Sequence, residues 1–176
     1  MRNTHIRKSL ISNMLIGVVS DTHNNKTNIQ TIIKILNKQI VDLVIHTGDI
    51  CNQSSLEMFS KLNANLVGVF GNNDRSEKGL IETTQDLNFR FQNPPLDLKL
   101  MGRKITVFHE PEEIDQYLKD NLDIDLIVHG HTHRYRKEKI KNTHIFNPGE
   151  SAGFLKGKNA LGIVNLKNME IKRIFF

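Results

Sequence analysis

Five polar clusters each follow an apolar run: Asp21-Thr22-His23, Gly48-Asp49, Gly71-Asn72-Asn73-Asp74, His109 and Gly130-His131-Thr132-His133. Carboxylates, an amide and imidazoles together make a mixed oxygen and nitrogen donor set, which suits Mn, Fe, Ni or Zn better than Ca. Alone, an Asp or Asn after a strand is an ordinary turn former or cap. A series of such clusters at successive strand ends instead points to two divalent cations and to a hydrolase that works through water they activate. Residues i and i+2 of an extended segment point the same way, so Asp21 and His23 are expected to reach one ion, and His131 and His133 likewise to share one. Asp49 has two oxygens with which to bridge the ions, and Asn72 can offer a neutral oxygen to the second.

The elements that must position these residues alternate. Leu15–Ser20 reads as a buried strand and 28–36 as a helix, through Ile29, Ile32, Ile33 and Leu36. A strand over 41–45, a helix over 56–62 and a strand over 65–70 follow. Residues 88–101 contain Pro94-Pro95 and read as a loop entering a strand near Leu98. A strand over 104–108 ends at His109, a short helix follows over 112–118 with Pro111 in its first turn, and Leu126–Val128 leads into the final histidines. The rest reads as strands, at 134–140, 144–146, 160–165 and 170–176, the last two joined by a hairpin-like break over 166–169. All the clusters fall on the edge where an α/β sheet places its ligands.

Asp21-x-His23, Gly48-Asp49, Gly71-Asn72-x-Asp74, His109 and Gly130-His131-x-His133 stand in the order of the calcineurin-like metallophosphoesterase superfamily, which the chain resembles from about residue 14 to Gly149. The start Met14-Leu-Ile-Gly-Val-Val-Ser-Asp-Thr-His23 is similar to that of its small YfcE-type phosphodiesterases. The resemblance implies a metallo-dependent phosphatase-like fold, a four-layer α/β/β/α sandwich of two mixed sheets. It implies that Asp21, His23 and His133 hold one metal, that Asn72, His109 and His131 hold the other, and that Asp49 bridges them. The activity implied is phosphodiester hydrolysis by a hydroxide bridging the metals and held by Asp49. Manganese is the expected ion, with Ni, Zn, Fe or Mg as alternatives.

Three positions depart from the family. Asn73 stands where members often carry His or Cys; its amide can contact a phosphate oxygen but cannot act as a general acid at neutral pH. Glu110-Pro111 replace the usual Gly-His after His109. Glu150 replaces the serine of Asn-Pro-Gly-Ser, which removes one hydrogen bond near the site. Asp74, His46 and His129 are expected to support the ligands from behind. Cys51 is expected to be a small thiol beside the site.

At 176 residues the chain suits one domain over 14–176, with 1–13 as an extension. The net charge of +5 favours anionic partners, but no Trp and two Tyr argue against a nucleic-acid binder. The expected partner is a small anionic phosphoester. No run is long enough for a membrane span, and the single cysteine suits a reducing cytoplasm. The basic run from Arg134 to Lys141 reads as an edge strand guarded by charge. The rival readings are a non-catalytic scaffold, as in the retromer subunit of the same superfamily, a phosphomonoesterase and a nuclease. The natural ester, the native metal and the oligomeric state are left open by the sequence.

Overall fold

The computed structural model describes residues 13–176, so all but the last residue of the expected 1–13 extension lies outside the described residues. Alternation of apolar residues builds two sheets that share an interior. Strands β1 (Leu15–Val19), β2 (Leu43–His46), β3 (Asn65–Val69) and β4 (Arg90–Gln92) run parallel, and β10 (Ala160–Asn165) and β11 (Glu170–Phe175) extend the β1 edge antiparallel. The second sheet has the order β5-β6-β7-β9-β8, with β5 (Leu96–Leu100), β6 (Arg103–Val107), β7 (Leu126–Val128), β8 (Arg136–Ile140) and β9 (Thr143–Asn147). Here β6, β7 and β9 run parallel while β5 and β8 close the edges antiparallel.

Ile16, Val18, Leu43, Ile45, Val67 and Val69 face Leu98, Ile105, Val107, Leu126, Val128 and Phe146 across the sheet interface. The residues between them on the first sheet, such as Val19 and Val44, pack outward under α1 (Lys26–Gln39), α2 (Gln53–Met58) and α3 (Leu80–Asp86). Helix α4 (Ile114–Asp120) covers the outer face of the second sheet through Ile114, Ile127 and Ile145. The result is helices, sheet, sheet, helix, as the four-layer expectation required. Because β1, β2 and β3 are parallel, and β6 and β7 likewise, their carboxyl ends share one rim per sheet.

Several elements differ from expectation. Helix α2 starts at Gln53 because Asn52 Oδ1 accepts the Ser55 N–H at 2.9 Å, and it passes into a 3₁₀ turn over Phe59–Lys61. Pro111 precedes α4 instead of entering it; its carbonyl accepts the Ile114 N–H in a turn ahead of the helix. The stretch 88–101 holds two strands, β4 and β5, on either side of a cis Pro94–Pro95 bond. Helix α3 carried no apolar period because Thr83 and Thr84 bury its inner face along with Leu80. The basic β8 pairs only with β9, at the edge of its sheet.

Candidate metal centre

The motif loops leave their strands through left-handed turns. Asp21 (φ 50°), His23 (φ 39°), Asp49 (φ 60°), His131 (φ 65°) and His133 (φ 57°) all have positive φ, which costs a non-glycine residue on the order of 1 kcal/mol or more and needs support from its surroundings. The extended i, i+2 geometry expected for the two pairs is therefore not what the chain adopts. Asp21 and His23 still converge, but His131 and His133 separate to two different clusters.

Support comes from backbone bonds between loops. The Asp21 N–H donates to Gly48 O at 3.1 Å and the His23 N–H to Asp49 O at 3.0 Å. Asp74, 3% exposed, accepts four N–H groups, from Asp49, Ile50, Cys51 and Gly71, at 2.7–2.9 Å. Its support for the site is thus a clamp on two loops. The motif glycines permit close approach: a Cβ at Gly71 would lie 2.2 Å from Asp49 Oδ1, and one at Gly130 2.2 Å from Ser20 Oγ.

In the first cluster, ligand atoms of Asp21, His23 and His133 all lie within 4.8 Å of one another. His23 Nε2 is 3.2 Å from His133 Nε2, which is 3.5 Å from Asp21 Oδ1. In the second, Asn72 Oδ1 lies 2.9 Å from His109 Nε2 and 3.0 Å from His131 Nδ1. Asp49 stands between them, Oδ2 at 3.5 Å from His23 Nε2 and Oδ1 at 3.5 Å from His109 Nε2.

The donor set fits cations. His109 Nδ1 lies 2.8 Å from the Thr47 carbonyl, an acceptor only, so that nitrogen carries a proton. Nε2 faces two oxygens, those of Asn72 and Asp49, an arrangement that positive charge stabilises, whether a proton on the ring or a cation held between the three groups. Burial lowers the pKa of His23 and of His133, which keeps both imidazoles neutral and able to ligate. Burial pushes the Asp21 carboxyl up to about 7, against the donation of the Ser20 hydroxyl. Burial also acts upward on Asp49, but its contact with His109 and the two Asn73 hydrogen bonds carry it below the ordinary carboxylate range. On His109 the downward pull of burial is outweighed by Asp49, and its pKa is raised.

The remaining expected residues fall around this core. Asn73 bonds Asp49 twice, N–H to Oδ1 at 3.0 Å and Nδ2 to Oδ2 at 2.8 Å, so here its amide orients the central carboxylate. His46 accepts the Gly48 N–H at 3.1 Å and meets Thr22 Oγ1 at 3.2 Å, which couples two loops; burial drives its pKa down to about 3. His129 lies 3.1 Å from Gly130 O, with its pKa lowered by burial to about 4. Cys51 Sγ lies 3.4 Å from His23 Nδ1, and burial beside Asp74 and Asp49 pushes its thiol up to about 12.

With this geometry in place, residues 14–169 match the calcineurin-like phosphoesterase superfamily domain. The chain belongs to this superfamily. A phosphodiesterase of Methanocaldococcus jannaschii is 34% identical over 167 residues, covering 92% of this chain and 98% of the relative. A solved archaeal phosphodiesterase superposes with TM-score 0.85 at 30% identity, covering 93% of this chain and all of that one. The E. coli phosphoesterase YfcE shares the fold, with TM-score 0.65 at 16% identity over 92% and 98% of the two chains. Membership implies divalent metal ions, which the paired clusters suit.

Two residues of this calcineurin-like site, Arg75 and Phe154, lay outside the expected set. Arg75 pairs with Glu110 at 2.5 Å beside the second cluster, next to a cleft of about 420 Å³ lined in part by Phe70, Pro94 and Phe108. Glu150 turns inward, fully buried, and Phe154 packs on the first cluster. No local pattern marked Arg75, but Glu110 and Glu150 were visible as departures from the family.

Proposed function

We propose that this chain is a two-metal phosphodiesterase, with Asp21, His23 and His133 holding one cation, Asn72, His109 and His131 the other, and Asp49 bridging. The observation that carries the reading is Asp49, which turns one oxygen toward each cluster, Oδ2 toward His23 and Oδ1 toward His109. Cations held there would lower the pKa of a shared water and neutralise charge gathering on the phosphoryl oxygens. The mixed oxygen and imidazole donors support Mn²⁺.

The chain's own groups do the rest. Asn73 holds Asp49 in its bridging orientation and Asp74 holds the loop that carries it. Asn73 cannot deliver a proton at neutral pH and burial makes the Cys51 thiol a weak acid, so the leaving group takes a proton from water or another residue and good leaving groups are hydrolysed fastest. Arg75 stands at the rim, where a phosphoester's negative charge can draw it from Glu110. A small anionic diester is the partner this rim suits. The described residues contain no helix long and apolar enough to cross a membrane. The single thiol, half-buried against His23, supports a reducing cytoplasm. The shared interior of the two sheets supports residues 14–176 acting as one domain.

The test is hydrolysis of bis(4-nitrophenyl) phosphate and 4-nitrophenyl phosphate by chelator-stripped protein restored with Mn²⁺. Diester turnover that returns only with metal is expected. Turnover that survives in both Asp49→Asn and His131→Ala under saturating Mn²⁺ would falsify the assignment, and absence of Mn²⁺ binding would favour the scaffold reading.

A further inference from the structure

Phe154 is the exposed aromatic ring set directly on the first cluster. Its ring lies 5.5 Å from that of His133 and nearly parallel to it, at 11°, and 5.1 Å from that of His23. Yet it is 64% exposed. A loop residue with so much surface in water gains little from burial.

The chain holds it by other means. Glu150, fully buried, accepts the N–H groups of Gly153 at 2.8 Å, Phe154 at 3.3 Å and Leu155 at 2.9 Å. From α1, Asn28 Nδ2 donates to Ser151 O at 2.7 Å, and Asn25 Nδ2 to Ala152 O at 2.6 Å. Gly153 makes the turn with φ +89°. A buried carboxylate bonded to three amides is a strong, charge-assisted arrangement, and the ring it positions touches the two histidines of one cluster. The second cluster has no counterpart among the described residues, since Phe70 and Phe108 beside it are buried and its rim is the Arg75–Glu110 pair.

We propose that Phe154 is a specificity-determining residue, a platform on which a planar aromatic substituent of the phosphodiester packs while the phosphate lies between the clusters. This rests on the phosphodiesterase reading. The planar group has two sources, an aryl ester or a nucleobase, because either presents a π-face to the exposed side of the ring. Shielding of the histidines alone would call for an apolar side chain but not for one left mostly open to solvent.

The experiment is calorimetric binding of diphenyl phosphate, diethyl phosphate and the methyl ester of thymidine 5′-phosphate to the Mn²⁺-loaded protein. It is run on the wild type, Phe154→Ala and Phe154→Tyr, with the Mn²⁺ isotherm of each. Phe154→Ala is expected to weaken diphenyl phosphate by about 5- to 20-fold, to leave diethyl phosphate within about twofold and to leave Mn²⁺ affinity unchanged, while Phe154→Tyr retains wild-type binding. Loss on the thymidine ester as well assigns the platform to nucleobases; loss on diphenyl phosphate alone assigns it to aryl esters. Equal loss on diphenyl and diethyl phosphate, with weaker Mn²⁺ binding, would overturn the proposal and make Phe154 a positioning residue for His23 and His133. No loss on any ligand overturns it too. Failure of the underlying reading is separate, since it shows as absent metal-dependent hydrolysis by the wild type.

Discussion

The two sheets contribute unlike halves of the site. The six-stranded sheet supplies Asp21, His23, Asp49 and Asn72, which include every carboxylate assigned as a ligand, from loops cross-braced by Asp74 and by backbone bonds between Gly48 and Asp21 and between Asp49 and His23. The five-stranded sheet supplies imidazoles alone, His109, His131 and His133, from loops held by fewer bonds, among them Asn147 Nδ2 to Gly130 O at 2.9 Å. Every carboxylate and the denser bracing thus come from one side, and imidazoles alone from the other. Burying two carboxylates is costly without cations, so the side that carries them is the side that is clamped.

The comparison breaks most severely at Asp49, the residue that serves both clusters. Asp49→Asn keeps the shape but removes the charge that stands between the two clusters, and kcat/KM on the diester is expected to fall by more than about 100-fold, with Mn²⁺ binding weakened in calorimetry. A fall no larger than that of His131→Ala would show that charge from the first sheet has no special weight.

Next is the clamp. Asp74→Ala leaves four buried N–H groups without their acceptor, and a loss of about 2–4 kcal/mol is expected in urea unfolding. Mn²⁺ affinity should fall together with it by about 10- to 100-fold. The matching change on the other sheet, Asn147→Ala, removes bonds to Gly130 O and Thr132 Oγ1 and should cost less, about 1–2 kcal/mol. Equal costs would erase the difference in bracing.

His46 sharpens the contrast through pH. It is buried and neutral, with its pKa lowered to about 3 from 6.5, so between those values the unfolded chain holds a proton that the folded one lacks. Stability attributable to His46 therefore falls as pH drops below about 6.5, by about 1.4 kcal/mol per pH unit. Asp21 acts with the opposite sign in metal-free protein, since its folded carboxyl keeps a proton up to about 7. The difference between wild type and His46→Gln isolates the histidine: urea stability of the variant should decline less from pH 7 to pH 5, and parallel declines would show that His46 does not titrate this way.

The smallest effect belongs to the rim. Glu110→Gln releases Arg75 from a half-exposed ion pair worth about 0–1 kcal/mol. Stability should stay within about 0.5 kcal/mol, while KM for the diester falls by up to about threefold as the guanidinium turns to phosphate. A rise in KM would mean that Glu110 itself assists binding.

Much of this was legible in the residues. The apolar alternation of Ile16, Val18, Leu43 and Ile45, the helical spacing of Ile29, Ile32, Ile33 and Leu36 and the polar clusters after each strand are local patterns, and local pattern is what strand and helix periods register. Helix α3 was hidden because threonines bury its face. The types and order of the seven assigned ligands are properties of the sequence, since carboxylate, amide and imidazole carry their chemistry wherever they are placed. Which ligands meet was decided only in three dimensions. His131 and His133 are two residues apart yet turn to different clusters, because left-handed φ values that an extended reading does not contain are held in place by bonds to residues about 110 positions away. The same packing puts Asn73 on Asp49, turns Glu150 inward and sets Phe154 on His133. Spacing along the chain limits what neighbours can share, but contacts between loops of two sheets exist only once those sheets have packed.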